Sequence, residues 1–145
     1  MLIDNGTYIL VLNGATMTVY RNLGKALHVD LELVEQKEQF TPETSELGRD
    51  RPGRSFSRVG DHRSGYKNTD LHSQEEEQFI KESVARLDAL ATAEQKPAII
   101  LAPPEALGIA RKHYRPALQK LITKEIDRDY STHPAKEVAA FLADY

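Results

Sequence analysis

Two short runs carry no charge and constrain the fold more than anything else in the chain. Thr7 to Asn13 (Thr-Tyr-Ile-Leu-Val-Leu-Asn) is almost wholly apolar, and so is Pro97 to Ala102 (Pro-Ala-Ile-Ile-Leu-Ala). A strand with one wet face alternates apolar and polar residues. A run with no polar phase has both faces covered, which is the habit of strands inside parallel or mixed sheets. Such a pair predicts the centre of an α/β sheet with helices on both faces.

The rest of the chain reads around these two strands. Asn13-Gly14 is a hairpin signal of the type I′ kind, which needs positive φ at both positions, and Ala15 to Arg21 reads as the returning strand. Asn22-Leu23-Gly24 makes a second turn. Leu27 to Val34 then alternates, with Leu27, Val29, Leu31 and Leu33 against His28, Asp30 and Glu32, as a half-exposed third strand does. Ser73-Gln74-Glu75-Glu76 has the form of a capping box. It predicts a helix to about Ala93 that buries Phe79, Ile80, Val84, Leu87 and Leu90 or Ala91. After the Pro97 to Ala102 strand come helices over Glu105 to His113 and Pro116 to Ile122, an edge strand over Lys124 to Tyr130, and a last helix over Pro134 to Ala143. Three strands in a meander, followed by alternating helices and strands, predict a mixed five-stranded sheet with helices on both faces. The layout is ribonuclease H-like, in a single domain over residues 1–145.

Between the third strand and the first helix, Glu35 to His72 shows no period. Within it, Gly48 to Lys67 reads as a long basic loop. Arg49, Arg51, Arg54, Arg58, Arg63 and Lys67 face only Asp50 and Asp61, a net of +4. The chain totals −3, which leaves −7 for everything else. Loops this long in a compact domain are usually functional or disordered. The candidate contacts to a polyanion, most plausibly RNA, are Arg49, Arg51, Arg54, Ser55, Phe56, Arg58, His62, Arg63, Tyr66 and Lys67. Guanidinium forks match phosphate oxygens, and the interleaved aromatics Phe56 and Tyr66 either stack on unpaired bases or fold back onto the domain. A solvated loop with arginines for solubility accounts for the same composition.

Other chemistries find less. There is no cysteine, and none of the five histidines (His28, His62, His72, His113, His133) pairs with another at the i, i+4 spacing of a helical zinc site. No metal or other cofactor is expected. No Walker or dinucleotide fingerprint is present, and Ser55 has no nucleophile elbow around it. Glu125, Asp127 and Asp129 alternate and would share one face of a strand. The first strand, where a ribonuclease H-type nuclease needs a carboxylate for its metal ions, offers none. No run is suited to spanning a bilayer and the N-terminus has no signal-peptide form, so the expected location is cytoplasmic with no membrane partner.

Asp50-Arg51-Pro52-Gly53-Arg54-Ser55, Leu101-Ala102-Pro103-Pro104, Leu107-Gly108, Arg111-Lys112 and Glu125-Ile126-Asp127-Arg128-Asp129 resemble the bacterial host attachment protein family, over nearly the whole chain. That family is described as required for attachment to host cells. It is similar in turn to the middle domain of archaeal and eukaryotic peptide-chain release factors. The resemblance implies a ribonuclease H-like sheet and a functional glycine- and arginine-rich loop between an early strand and the following helix. The release factors carry Gly-Gly-Gln at that loop. The nearest string here is Pro52-Gly53-Arg54-Ser55, so peptidyl-tRNA hydrolysis by that route is not implied. The expectation is a non-enzymatic, RNA- or ribosome-associated binding domain. Two alternatives stay open: a small cytoplasmic protein-interaction factor acting indirectly on host attachment, and a metal-dependent nuclease.

Overall fold

The structure, a computed structural model, describes residues 1–39 and 53–145; within 53–70 it describes the backbone but not the side chains. Five strands, β1 (Tyr8–Leu12), β2 (Thr16–Asn22), β3 (Leu31–Glu38), β4 (Ala98–Leu101) and β5 (Ile122–Ile126), form one sheet in the order β3-β2-β1-β4-β5. The β1–β2 and β2–β3 pairs are antiparallel, and β1–β4 and β4–β5 are parallel. Among the described residues four helices follow the chain: α1 (Gly53–Glu94), α2 (Pro104–Arg111), α3 (Pro116–Leu121) and α4 (Ala135–Asp144).

The two uncharged runs are the central strands β1 and β4, and every residue of both is buried. Their side chains divide between two cores. Tyr8, Leu10, Leu12 and Ile100 pack with Phe79, Ile80, Val84, Leu87 and Ala91 of α1, Ala106, Leu107 and Ala110 of α2, and Leu118 of α3. Ile9, Val11, Ile99 and Leu101 pack on the other face with Ile126 of β5 and Val138 and Leu142 of α4. Each buried aliphatic side chain contributes about 1.5–3 kcal/mol, so a charge on either phase of these strands has no tolerated place.

Three local expectations are corrected. The β1–β2 hairpin forms, but Asn13 and Gly14 do not take positive φ. Instead the Asn13 Oδ1 accepts from the backbone N–H of Ala15 (2.8 Å) and of Thr16 (2.7 Å), so a side chain closes the turn. The third strand starts at Leu31 rather than Leu27 and runs on to Glu38. The cause is Asn22, which is fully buried. Its Oδ1 accepts from Gly24 and Asp30 (2.9 Å each) and its Nδ2 donates to the Ile3 carbonyl. Satisfying that amide folds residues 23–30 into a loop. A Cβ on Gly24 would collide there with the His28 carbonyl oxygen. A bulge between Val19 and Tyr20 then resets the register of β3.

The third correction concerns α1. It does not start at the Ser73 capping box but at Gly53, twenty residues earlier, so Gly53 to Lys67 of the expected loop is helix. Gly48 to Pro52 lie outside the described residues. The chain has no proline between Pro52 and Pro97, so nothing stops a helix that begins after Pro52, and proline at a helix start is favoured. The predicted stripe holds in the C-terminal part of α1: Phe79, Ile80, Val84, Leu87 and Ala91 are all buried.

Candidate functional site

Of the ten residues expected to contact a polyanion, Arg49 and Arg51 lie outside the described residues. Arg54, Ser55, Phe56, Arg58, His62, Arg63, Tyr66 and Lys67 all fall on α1. The helix puts Arg54, Arg58 and His62 at successive four-residue steps, and Arg63 and Lys67 at another such step. Residues four apart on a helix are neighbours. The same spacing is visible in the sequence, but Gly53, Gly60 and Gly65 and the lack of an apolar stripe hid it.

Further along, α1 reaches the sheet beside the ends of β1 and β4. The Glu76 carboxylate lies against Gly14, so closely that a Cβ there would come 2.8 Å from its Oε2. Gln39, just after β3, donates its side-chain N–H to the Glu75 carbonyl at 3.1 Å. Gly14, Glu76, Ile80, Pro103, Pro104, Glu105, Ala106 and Ile109 enclose a cleft of about 410 Å³. It lies off the carboxyl ends of the parallel strands, the usual ligand position in open α/β sheets. Its charged groups, Glu76 and Glu105, are both acidic and set it against anions.

A second group of charges is built where α2, α3 and β5 meet. Arg111 Nε donates to Glu125 Oε1 at 3.0 Å, and the Tyr114 hydroxyl donates to Glu125 Oε2 at 2.6 Å. Burial pushes the Glu125 carboxyl up, but the bonds from Arg111 and Tyr114 outweigh it and hold the group below its ordinary range. Burial, with Glu125 beside it, pushes the Tyr114 phenol well above its ordinary value. Arg115 grips Asp88 of α1 with two bonds, Nε to Oδ2 at 2.7 Å and Nη2 to Oδ1 at 3.0 Å. Those bonds hold the Asp88 carboxyl low although it is buried. His113 Nε2 sits 3.2 Å from Glu77 Oε2.

These pairs correct the reading of the late acids. β5 ends at Ile126, so Glu125, Asp127 and Asp129 do not line one strand face. Glu125 is tied up as described. Asp129 accepts from the Ser131 hydroxyl, which in turn accepts from Asn13 Nδ2 at 2.8 Å. Among the described residues, no group of three His, Asp or Glu is placed to hold a metal ion. No helix of the described residues is long and apolar enough to cross a membrane. The sequence reading missed the Arg111–Glu125–Tyr114 and Asp88–Arg115 clusters. Only the polar Asp88 inside an otherwise apolar stripe hinted at one of them.

The sheet order and the two helical layers define an α/β protein with a mixed five-stranded sheet. Over residues 6–142 the chain matches the family described as bacterial archaeo-eukaryotic release factor family 12, and it belongs to that family. The match supports the release-factor part of the resemblance and says nothing about attachment to host cells. No curated protein matches the chain.

Proposed function

We propose that this protein is a non-enzymatic, RNA- or ribosome-associated binding domain of the release-factor type, acting in the cytoplasm. The basic segment from Arg49 to Lys67 is its contact surface. One observation carries the reading: six cations against two acids in that segment, on a remainder of −7, in a chain whose family is release-factor-like. Arg51, Arg54, Arg58 and Arg63 contact phosphates, because a guanidinium fork pairs bidentately with phosphate oxygens. Phe56 and Tyr66 stack on unpaired bases, each adding about 1–3 kcal/mol. Peptide release is not part of the proposal, since Gly-Gly-Gln is absent.

The test is a salt titration of binding to ribosomes and to a short single-stranded RNA. Each neutralised phosphate contributes about −0.7 to −0.9 to the log–log slope. Arg51→Ala with Arg54→Ala should flatten the slope by roughly 1–2 units and leave the melting temperature unchanged. An unchanged slope, or no binding at about 50 mM salt where such contacts are strong, refutes the reading. It would put the protein-interaction alternative in front.

A further inference from the structure

Residues 106–124 contain five cations, Arg111, Lys112, Arg115, Lys120 and Lys124, and not one Asp or Glu. In the fold they run from the end of α2 through the 112–115 connection and α3 to the start of β5, and all five are exposed. Counting the carboxylates that act on it, Asp88, Glu125, Glu77 and Asp127, it keeps a charge of +1. The arginines are held in place. Glu125 takes Nε and Nη2 of Arg111, and Asp88 takes Nε and Nη2 of Arg115. No described residue engages either Nη1, and the two side chains are 56% and 67% exposed, so each offers a fixed N–H edge to solvent. Lys112 and Lys120 have no acidic partner among the described residues.

We propose that this face is a second phosphate-contacting surface for RNA, additional to the basic segment from Arg49 to Lys67. The proposal rests on the RNA-binding reading above. Cations spread over α2, α3 and β5 fit a chain of phosphates better than one anion, which a closed pocket would surround. Beside them runs a cleft of about 270 Å³ lined by Tyr114, Gln119, Ile122, Thr123, Lys124 and Glu125. The Tyr114 and Thr123 hydroxyls donate to Glu125 and to the Ala98 carbonyl, which leaves the Gln119 amide to meet ribose or phosphate. A protein partner would want an apolar, aromatic centre depleted of charge, and this face has none. Holding a guanidinium by a carboxylate also lowers the ordering cost of the contact, because the side chain is fixed before the ligand arrives.

The test uses the full chain and a short single-stranded RNA, with slopes taken from salt titrations. Lys112→Gln with Lys120→Gln removes two cations that hold no partner in the fold. Lys124, whose Nζ lies 5.3 Å from the centre of the Tyr145 ring just after α4, is changed alone to glutamine as a second variant at the edge of the face. Arg115 is left intact because it covers a buried carboxylate. The double variant should lower the slope by roughly 1–2 units and Lys124→Gln by about 1, with unchanged melting temperatures. Combined with Arg51→Ala and Arg54→Ala, the losses should add. If wild type binds and only the arginine pair changes the slope, this face is not a contact surface and the inference is overturned while the RNA-binding reading stands. If wild type binds neither RNA nor ribosomes, both fall.

Discussion

The two parts of α1 carry the same backbone on opposite chemistry. From Phe79 to Ala91 the helix buries an apolar stripe against β1, β2 and β4. From Gly53 to Lys67 it contains three glycines, four cations and two aromatics, with no such stripe. At 1.5 Å per residue the whole helix is about 63 Å long, and the packing seen among the described side chains belongs to its C-terminal part. Isolated helices are marginal in water and gain most of their stability from a packed face. The packed part is therefore there to hold the sheet. The part before it must justify its composition by what it touches.

The contrast predicts unequal sensitivity. Leu87 is fully buried whereas Leu71 is 52% exposed. Leu87→Ala should cost about 2–5 kcal/mol in urea unfolding, and Leu71→Ala within about 0.5 kcal/mol. Equal losses would break the comparison by showing that the helix packs along its whole length.

The next largest effect belongs to the clasp that fastens the packed part. Asp88 is buried on α1, and Arg115 meets it from the start of α3. Arg115→Ala leaves a buried carboxylate without its partner, at about 2–3 kcal/mol. The pH dependence carries a sign. Asp88 is held low by the Arg115 bonds, and Glu35 is held low by the Arg86 bonds. A carboxyl lowered in the folded state stabilises above its unfolded pKa of about 4, and that contribution is lost as pH falls through the lowered value. Wild type should therefore lose stability below about pH 4, and the gap to Arg115→Ala should narrow over the same span. A gap constant from neutral pH to about pH 3 would show that the clasp does not work through the Asp88 charge.

The smallest effect sharpens the other side of the contrast. Gly60 and Gly65 lie inside the helix, where glycine costs about 0.8–1.0 kcal/mol relative to alanine. Gly60→Ala with Gly65→Ala should raise helicity by far-ultraviolet circular dichroism with little change in the urea midpoint. A matching rise in the midpoint would mean that this part unfolds together with the core.

What was legible in the sequence follows from how local each cause is. β1 and β4 could be placed because an uncharged run has one explanation. The Phe79, Ile80, Val84, Leu87 stripe could be placed because its period is contained in a dozen residues. β3 began four residues late because its start depends on a buried Asn22 amide finding Gly24, Asp30 and Ile3. No periodicity reports that. The start of α1 was hidden by glycines and by a capping box that the helix runs through. Among site residues, the basic segment was plain as a charge pattern. The Arg111–Glu125 and Asp88–Arg115 pairs join residues 14 and 27 positions apart, and pairing over such spans is settled only by the fold.

The parallel pairing at the centre of the sheet has a consequence for synthesis. Tyr8 pairs with Ala98, so the middle of the sheet waits for about ninety further residues. At roughly 5–20 residues per second, the β1–β2 hairpin spends several seconds with the Ile9, Leu10 and Val11 edge unpaired. Non-local pairing of this kind slows folding, and an open apolar strand edge invites pairing with another chain. The nascent protein is thus most prone to aggregate before β4 emerges. Chains truncated before Pro97 should be recovered insoluble, while the full chain is not.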